Sequence, residues 1–220
     1  MPMKVVSLNV ALPSTQCYDG RKVLTGGAKR PVPRAMLRYE NFEGDGQGDQ
    51  ENHGGPDKAV CVYPLDHYPH WEKELGGRLL PGAMSENLTV SGALETGVCI
   101  GDVFKVGEAT VKISQPRMPC HKLAGKNGER LLAKWVSRTG YTGFYTRVLS
   151  EGMVSAGEAF ELVERHLDRI SVADVNEVIY ERSRDFALIE RLAGLPELAA
   201  DWRAMFAGRL ERVRRQRQWV

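Results

Sequence analysis

The sequence predicts a mainly β domain followed by a small helical region. Between residues 4 and 164, short β-rich runs are broken at close intervals by Gly, Pro, Asn and Asp. The stretch 102–114 has the alternation of a half-buried hairpin, with its turn at Gly107-Glu108. After about His166, apolar residues recur at helical spacing instead. Many short strands at such close spacing favour a closed barrel or a sandwich over a βαβ sheet.

Further strands are expected on both sides of this hairpin. Each is a short run of apolar or β-branched residues bounded by turn residues. In chain order they are expected at residues 4–10, 59–63, 87–90, 98–100, 143–149 and 159–163. Together with the hairpin they form a β domain to which we assign residues 1–165.

Two helices are expected to interrupt the β domain. Residues 65–75 carry an amphipathic stripe, and residues 129–136 follow the turn residue Gly128. Pro69 is best tolerated in the first turn of a helix, so the first helix is expected to begin after Leu65.

Two histidines, His67 and His70, stand three residues apart on the first of these helices. This spacing can in principle chelate a metal, but no third ligand lies at close spacing. We therefore interpret them as surface histidines.

The region after the β domain is assigned to residues 166–220 and is predicted to form three helices. They are expected at residues 172–183, 184–193 and 196–216. Ser171 is placed to cap the first of them, and Pro196 is placed in the first turn of the third. A region of about 55 residues is too small to be expected to stand alone, so we expect it to pack on the β domain.

The end of this helical region is basic. Residues 209–217 carry five arginines and one glutamate. Such a run can touch nucleic acid or an acidic protein, but it is more often the solvated face of a terminal helix. We favour the solvated face.

Composition limits the classes of function. The chain has 220 residues and a formal net charge of +2, which is too small to imply a polyanionic partner. Its four cysteines, Cys17, Cys61, Cys99 and Cys120, form no C-x-x-C pair, so no structural zinc site is expected. No apolar run approaches the about 20 residues that span a bilayer, and the N-terminus lacks a signal-peptide pattern. We expect a cytoplasmic protein with reduced thiols, and neither a membrane nor nucleic acid as its main partner.

The loop after the hairpin carries the most reactive side chain of the sequence. Pro116 and Pro119 restrict the backbone before Cys120, so the sulfur is expected to have little freedom. Arg117 and Lys122 flank the thiol and favour its thiolate, which is the form that attacks electrophiles or binds metal. A plain buried cysteine near a turn is the alternative interpretation.

A glycine-rich stretch precedes the second strand of the β domain. The amides of Gly54 and Gly55 can approach a ligand closely or form a concavity that holds an anion. His53 and Lys58 add hydrogen-bond donors on either side. An ordinary loop that enters a strand is the alternative.

Two further clusters offer polar side chains beside predicted strands. Glu86 and Asn87 supply an acceptor and a two-way amide at the start of one strand, although a capped turn explains them equally well. Arg147 follows a run of small and aromatic residues suited to a flat or phosphorylated ligand. For that run, the alternative is a hairpin with a packed aromatic residue.

Taken together, these motifs resemble the MOSC family, and within it the YiiM-like branch. The resemblance covers nearly the whole chain, and it implies a β-barrel followed by a three-helix domain. The matching pieces are modest one by one, but their order is specific. They are Thr25-Gly26 with Lys29-Arg30-Pro31-Val32, residues 43–47, residues 53–60, residues 86–89, Ile100-Gly101-Asp102, residues 114–123 and residues 140–149.

The resemblance implies a reductase that uses a molybdenum cofactor, a metal-bearing pterin. Its implied substrates are N-hydroxylated compounds such as hydroxylaminopurine base analogues, which are detoxified to amines. A partner reductase would donate the electrons, and a second copy of the chain, in a homodimer, is a further expected partner. The family also carries a pyridoxal phosphate-binding label.

The resemblance also assigns roles to single residues. Cys120 would bind molybdenum, while Lys122, His53 or His121 would move protons. Residues implied in cofactor binding are Lys58, Gly54, Gly55, Glu86, Asn87, Arg117 and Arg147. Two positions depart from the family pattern, since Ser85 replaces a usual glycine and His121 a usual aromatic residue.

Two other functions remain open from the sequence. Cys120 is equally suited to carry a persulfide for the assembly of another protein's metal-sulfur cluster or cofactor. The chain is also compatible with a cofactor-free binding module whose helical end docks a partner.

Overall fold

The computed structural model describes residues 2–181 and 184–217, with side chains through residue 215. Within these residues the chain forms twelve strands and seven α-helices. The strands are β1 Lys4–Val10, β2 Ser14–Tyr18, β3 Arg21–Thr25, β4 Arg30–Val32, β5 Arg34–Leu37, β6 Val60–Pro64, β7 Leu88–Ser91, β8 Val103–Val106, β9 Ala109–Pro116, β10 Phe144–Ser150, β11 Gly152–Ser155 and β12 Phe160–Glu164. The helices are α1 Gln50–His53, α2 Tyr68–Leu75, α3 His121–Asn127, α4 Leu132–Thr139, α5 Val172–Tyr180, α6 Phe186–Gly194 and α7 Ala200–Arg217.

Eight of the strands form one sheet in the order β12-β8-β9-β10-β6-β7-β1-β4. Its central hairpin pairs Val103 with Lys112 and Val106 with Ala109, as the sequence predicts. Within the described residues the strand ladders do not close into a complete barrel. The start of β1 is linked to the segment before β12 by an isolated bridge between Lys4 and Ala159 and by backbone hydrogen bonds such as that from the Val5 N–H to Glu158 O at 2.9 Å. The predicted fold class, a mainly β domain followed by C-terminal helices, is confirmed, with one large sheet in place of a closed barrel.

One hydrophobic core joins the sheet to the C-terminal helices. Phe104 of β8 stacks on Phe160 of β12 with ring centroids 4.4 Å apart, and both rings are almost fully buried. Val175 of α5 and Trp202 of α7 belong to the same cluster. Burying one such side chain contributes about 1.5–3 kcal/mol, so the helices share in stabilising the sheet.

The bounds of the C-terminal helices differ from the predicted bounds at several residues. Ser171 caps α5 as expected, because its hydroxyl accepts from the Asp174 N–H while the Asp174 carboxylate accepts from the Ser171 N–H. The predicted end of this helix at residue 183 lies outside the described residues. The expectation for Pro196 is wrong: α7 begins only at Ala200, because the Ala199 N–H donates to Ser114 O of the sheet.

Two other elements of the β domain are also corrected. The expected strand at 98–100 is reduced to an isolated β-bridge between Cys99 and Ser171, followed by a turn in which the Cys99 N–H donates to the Asp102 carboxylate at 2.8 Å. The expected helix at 129–136 begins at Leu132, since the Glu129 carboxylate accepts from the Leu131 N–H and holds a turn before it.

Three elements near Cys120 were not predicted from the sequence. They are the β2–β3 hairpin and the short helices α1 and α3. The hairpin turns at Asp19-Gly20, where both residues have positive φ, and this Asp-Gly pair was a readable hairpin signal.

The interpretation of His67 as a surface histidine is wrong. Its side chain is buried, its Nε2 lies 2.7 Å from Glu95 Oε2, and its ring stacks on Tyr141 at 3.9 Å. No local pattern indicates that Glu95, 28 residues away along the chain, would reach it.

The basic end of α7 is partly used in packing. Arg209 donates to Val178 O at 2.8 Å, and Arg214 pairs with Glu190 at 3.2 Å. Both contacts tie α7 to its neighbouring helices. In the described part of the chain, no helix is both long enough and apolar enough to cross a membrane.

Candidate functional site

A cleft opens between the β2–β3 hairpin, the start of α1 and the loop that leads into α3. Six of the side chains singled out in the sequence line it, namely His53, Lys58, Asn87, Arg117, Cys120 and Lys122. They come from three separate stretches of the chain. The fold therefore brings together most of the residues expected to act together.

Cys120 stands at the base of α3, four residues beyond the end of β9. Its backbone is extended, with φ −119° and ψ 167°, and its carbonyl accepts from the Leu123 N–H at 3.1 Å. The loop before it is anchored to β10, because the Arg117 N–H donates to Gly143 O at 3.1 Å. The thiol is thus held in place and remains partly exposed to solvent.

The surroundings of Cys120 stabilise its thiolate. Burial by itself raises the pKa of the thiol, but a hydrogen bond from His53, the charge of Arg117 and the Leu123 N–H outweigh it. The resulting pKa of Cys120 is about 7, against an ordinary value of 9.0. A large fraction of the thiol is therefore ionised near neutral pH.

Lys122 contributes less to this effect than its place in the sequence suggests. Its ammonium group lies 3.5 Å from Asp49 Oδ2, and that carboxylate also lies 3.7 Å from His53 Nδ1. Backbone and side-chain hydrogen bonds from Asn52 lower the pKa of Asp49, with smaller contributions from Lys122 and His53. Of the two flanking cations that we expected to act on the thiol, Arg117 does so, and His53 takes the place of Lys122.

Arg117 is a buried cation of the cleft with one unsatisfied nitrogen. Only 6% of its surface is exposed, and its Nη1 has no hydrogen-bond partner among the described residues. Burial opposes its charge, but Cys61, Tyr145 and Cys120 raise its pKa, so the guanidinium stays charged. A buried cation with an unsatisfied N–H group is costly. This arrangement is suited to an anionic ligand that fills the cleft.

Asn87 lines the cleft but has little free capacity. Its Nδ2 donates to Asp45 Oδ2 at 2.8 Å, and its Oδ1 accepts from the Cys61 N–H at 3.1 Å. Asp45 in turn forms a buried ion pair with Lys29, which also lines the cleft. Asn87 therefore holds the wall of the cleft together.

The structure places four of the expected cofactor-binding residues outside the cleft lining. Glu86 is fully buried behind it, where its Oε1 accepts from Tyr68 at 2.6 Å. The Gly54 N–H donates to Gln50 O at the end of α1, and Gly55 starts the turn that leads to Lys58. These three residues stabilise the loops next to the cleft through hydrogen bonds and a turn.

Arg147 is the fourth of these residues, and it is engaged elsewhere. Its Nε forms an ion pair with Asp57, and its Nη1 donates to Glu197 O at 2.7 Å. Asp57 comes directly before Lys58. Arg147 therefore links the loop that carries Lys58 to the segment before α7.

The sequence reasoning missed a second layer of the site. Lys126 is mostly buried, and its Nζ donates to Gly27 O at 2.8 Å, to Gly82 O and to Ser85 Oγ at 3.3 Å. Burial lowers the pKa of Lys126 to about 8. Ser85 itself has φ +62°, a left-handed conformation that explains why glycine is usual at this position.

Close approach of loops also shapes the cleft. A Cβ atom on Gly26 would lie 1.8 Å from Gly46 O, and one on Gly46 would lie 2.7 Å from Pro13 Cδ. Both glycines line the cleft. Their positions in the sequence motifs therefore reflect packing between the N-terminal loops.

Family models match two regions of the chain. The model described as "MOSC domain" matches residues 49–161. The model described as "YiiM-like, 3-alpha helix domain" matches residues 170–212. The first region contains Cys120 and the loop with His53 and Lys58. The second region contains the C-terminal helices.

Similar curated proteins and solved structures agree with the matches to the two family models. The chain is 51% identical to "Uncharacterized protein YflK" of Bacillus subtilis over 95% of both chains. It is 35% identical to "Protein YiiM" of Escherichia coli over 76% of this chain and 75% of that one. It is 36% identical to a protein named "Reductase" from Gibberella moniliformis, over 66% of this chain but only 26% of that one. The crystal structure of YiiM from Geobacillus stearothermophilus superposes with a TM-score of 0.82 at 38% identity, covering 95% of this chain and 100% of that one.

Proposed function

The chain belongs to the MOSC family, with a YiiM-like three-helix domain, and we propose that it is a molybdenum-cofactor-dependent reductase of N-hydroxylated compounds. Hydroxylaminopurine base analogues are the substrate class that we propose, and detoxification is the proposed role. Membership in the family and the reductase-named relative support an enzyme of this kind. One observation carries the proposal: a thiol with a pKa of about 7 shares a cleft with the buried guanidinium of Arg117, whose Nη1 has no partner among the described residues.

The side chains of the cleft fit such a cofactor. A thiolate is a soft ligand suited to a metal with affinity for sulfur, and Cys120 supplies it. The orphaned Nη1 of Arg117 and the cleft-lining Lys58 are suited to a phosphate group. In this proposal Cys120 holds the metal, while Arg117 and Lys58 hold the anionic end of the pterin.

When bound, the cofactor supplies two-electron redox chemistry at a metal that accepts oxygen. The net reaction breaks the N–O bond of the substrate, consumes two electrons and two protons, and releases an amine and water. An electron-donating reductase protein supplies the electrons. We also propose that the protein works in the cytoplasm, where its thiols stay reduced.

The chain's own residues handle protons and orientation. His53 is the group that donates to Cys120 Sγ, and Asp49 lies close enough to orient its ring. Lys122 reaches the same Asp49 and lines the cleft, so its ammonium group stands ready to deliver a proton beside the substrate. The loop glycines Gly26 and Gly46 keep the surrounding backbone tightly packed.

A reductase assay tests the proposal. Protein made in cells that synthesise the cofactor, supplied with an electron-donating reductase, is expected to convert 6-hydroxylaminopurine to its amine. Cys120→Ser is expected to abolish the conversion, while Cys17→Ser, which alters an exposed thiol outside the cleft, is expected to retain it. Full activity in Cys120→Ser would rule out the proposed role of this thiol.

A persulfide carrier is the second candidate, and the same thiol favours it. Cys120 is partly exposed and ionised near neutral pH, as a sulfur-accepting cysteine requires. Mass spectrometry separates the two functions. A mass increase of one sulfur atom on Cys120 in protein without bound pterin would support the carrier function.

A further inference from the structure

A second cavity lies on the other side of the α4–β10 connection. It has a volume of about 620 Å³ and is lined by the segment before α2, the end of α4 and one face of α5. Among the described residues, it shares no lining residue with the Cys120 cleft. The function proposed above makes no use of it.

One wall of this cavity is a rigid polar and aromatic unit. His67 Nε2 lies 2.7 Å from Glu95 Oε2, and the other oxygen of Glu95 accepts from the Gly143 N–H at 2.7 Å. The His67 ring also stacks on Tyr141. Both members of the pair are buried, so this wall is held in one arrangement.

The α5 side of the lining carries hydrogen-bonding atoms that the rest of the described chain leaves unsatisfied. Asn176 of α5 is 3% exposed, and its Nδ2 donates to Gly140 O at 3.1 Å and to Thr142 Oγ1 at 2.9 Å. These bonds fix the amide so that its Oδ1 is an acceptor, yet that oxygen has no donor in the described part of the chain. The hydroxyl of Tyr180, one turn further along α5, is also buried and forms no hydrogen bond of good geometry there, although Ser137 lies close enough to lower its pKa. Native proteins leave few buried polar atoms unpaired, so two on one wall call for a ligand with donors.

The charge of the cavity is predominantly negative. Asp66, Glu177 and Glu181 add carboxylates to its lining, and Arg138 is the cation beside them. None of these four side chains forms an ion pair with another described residue. A ligand that carries positive charge is therefore favoured.

We propose that this cavity is a second ligand site, and that it takes a small organic amine in its ammonium form. The N–H groups of an ammonium supply the donors that Asn176 Oδ1 and the Tyr180 hydroxyl lack. Its positive charge complements the carboxylates of Glu177 and Glu181. The aromatic rings of Tyr141 and Tyr180 give its carbon chain and its charge a favourable surface.

Isothermal titration with 1,4-diaminobutane tests this proposal, with the uncharged 1,4-butanediol as the matched probe. The intact chain is expected to bind one diamine saturably and to bind the diol much more weakly. Tyr180→Phe removes only a hydroxyl without a hydrogen bond of good geometry, so the fold is expected to persist while the affinity for the diamine falls roughly tenfold. Glu177→Gln is expected to weaken binding by about two- to fivefold, because its carboxylate is exposed.

Glu161→Gln serves as the control, since it neutralises an exposed carboxylate on β12 that does not line the cavity. It is expected to leave the affinity unchanged, and thermal unfolding of each variant checks that the fold is kept. Three results would overturn the proposal: no saturable binding of the diamine, equal binding of the diol, or unchanged affinity in both Tyr180→Phe and Glu177→Gln. Binding of potassium or magnesium ions in place of the diamine would also overturn it.

Discussion

The two arginines singled out for cofactor binding lie in contrasting surroundings. Arg117 is almost fully buried at the cleft, and its Nη1 has no partner in the described part of the chain. Arg147 pairs with Asp57 and donates to Glu197 O. Both follow β-rich runs and both read as anion-binding residues in the sequence. The comparison teaches that the function of an arginine depends on which of its donors the fold has already used.

The difference extends to the regions around them. The cleft around Arg117 holds a thiol that ionises near neutral pH, half-buried lysines and a ligand-sized opening. The region around Arg147 is a junction, where Ser114 Oγ also donates to Asp57 O at 2.6 Å and Ser114 O accepts from the Ala199 N–H. We interpret the first as a binding region and the second as a brace between the sheet and the C-terminal helices.

Replacement of Arg117 should give the largest effect on binding. Arg117→Met is expected to weaken the affinity of the cofactor-free protein for inorganic phosphate by roughly 100-fold, because a buried charge that pairs with the anion is lost. Its free energy of unfolding is expected to stay equal or to rise, since a buried cation with an unsatisfied N–H group is removed. Titration calorimetry and urea unfolding measure the two quantities. Unchanged phosphate affinity would remove Arg117 from the binding region.

The matched replacement at the junction should reverse this pattern. Arg147→Met is expected to lower the free energy of unfolding by about 1–2 kcal/mol, since Asp57 and Glu197 O lose a partner in a half-buried place. Its phosphate affinity is expected to change only slightly. A fall in phosphate affinity as large as that of Arg117→Met, without loss of stability, would contradict the distinction between the two arginines.

The ionisation of Cys120 makes the stability of the protein depend on pH. Its pKa of about 7 lies below the value of about 8.5 that an unfolded chain gives it. The thiolate therefore stabilises the folded state fully above the unfolded pKa, and this stabilisation is lost as the pH falls through about 7. We expect the unfolding free energy, measured relative to Cys120→Ser, to rise between pH 7 and 9. A flat difference over this range would show an unperturbed thiol.

His53 is the neighbour whose removal should raise this pKa most readily. His53→Ala removes the hydrogen bond to the sulfur, so the rate of alkylation of Cys120 by iodoacetamide at pH 7 is expected to fall roughly fivefold. The pH at half-maximal rate is expected to move upwards. An unchanged pH profile would mean that His53 does not hold the thiolate.

Lys122 should give the smallest effect of the series. Its ammonium group is directed to Asp49, so Lys122→Met is expected to change the same alkylation rate by less than about twofold. It is the matched control for His53→Ala, because both side chains contact the same carboxylate. A larger change in Lys122→Met than in His53→Ala would reverse the roles that we assign to them.

Local patterns in the sequence predicted much of the fold. The alternation at Ala109, Val111 and Ile113 identified β9, and Ser171 identified the start of α5, because both signals depend on neighbouring residues. The short helix α3 was missed. Its seven residues contain a glycine and follow a proline-rich loop, so its helical pattern is weak.

The candidate site was predictable to a similar extent. Cys120 and Arg117 lie in one motif, so their proximity followed from the sequence. The pairing of Arg147 with Asp57 joins residues 90 positions apart, and the contact between His67 and Glu95 depends on how α2 packs. Such long-range contacts decide which polar groups remain free, and a single sequence does not reveal them.

Bound molybdenum per chain tests the central claim most directly. Protein purified from cells that synthesise the cofactor is expected to hold close to one molybdenum per chain, both as the natural sequence and as Cys17→Ser. Cys120→Ser, with an unfolding free energy that shows an intact fold, is expected to hold almost none. Molybdenum retained in Cys120→Ser at the level of Cys17→Ser would contradict the claim that this thiol holds the metal.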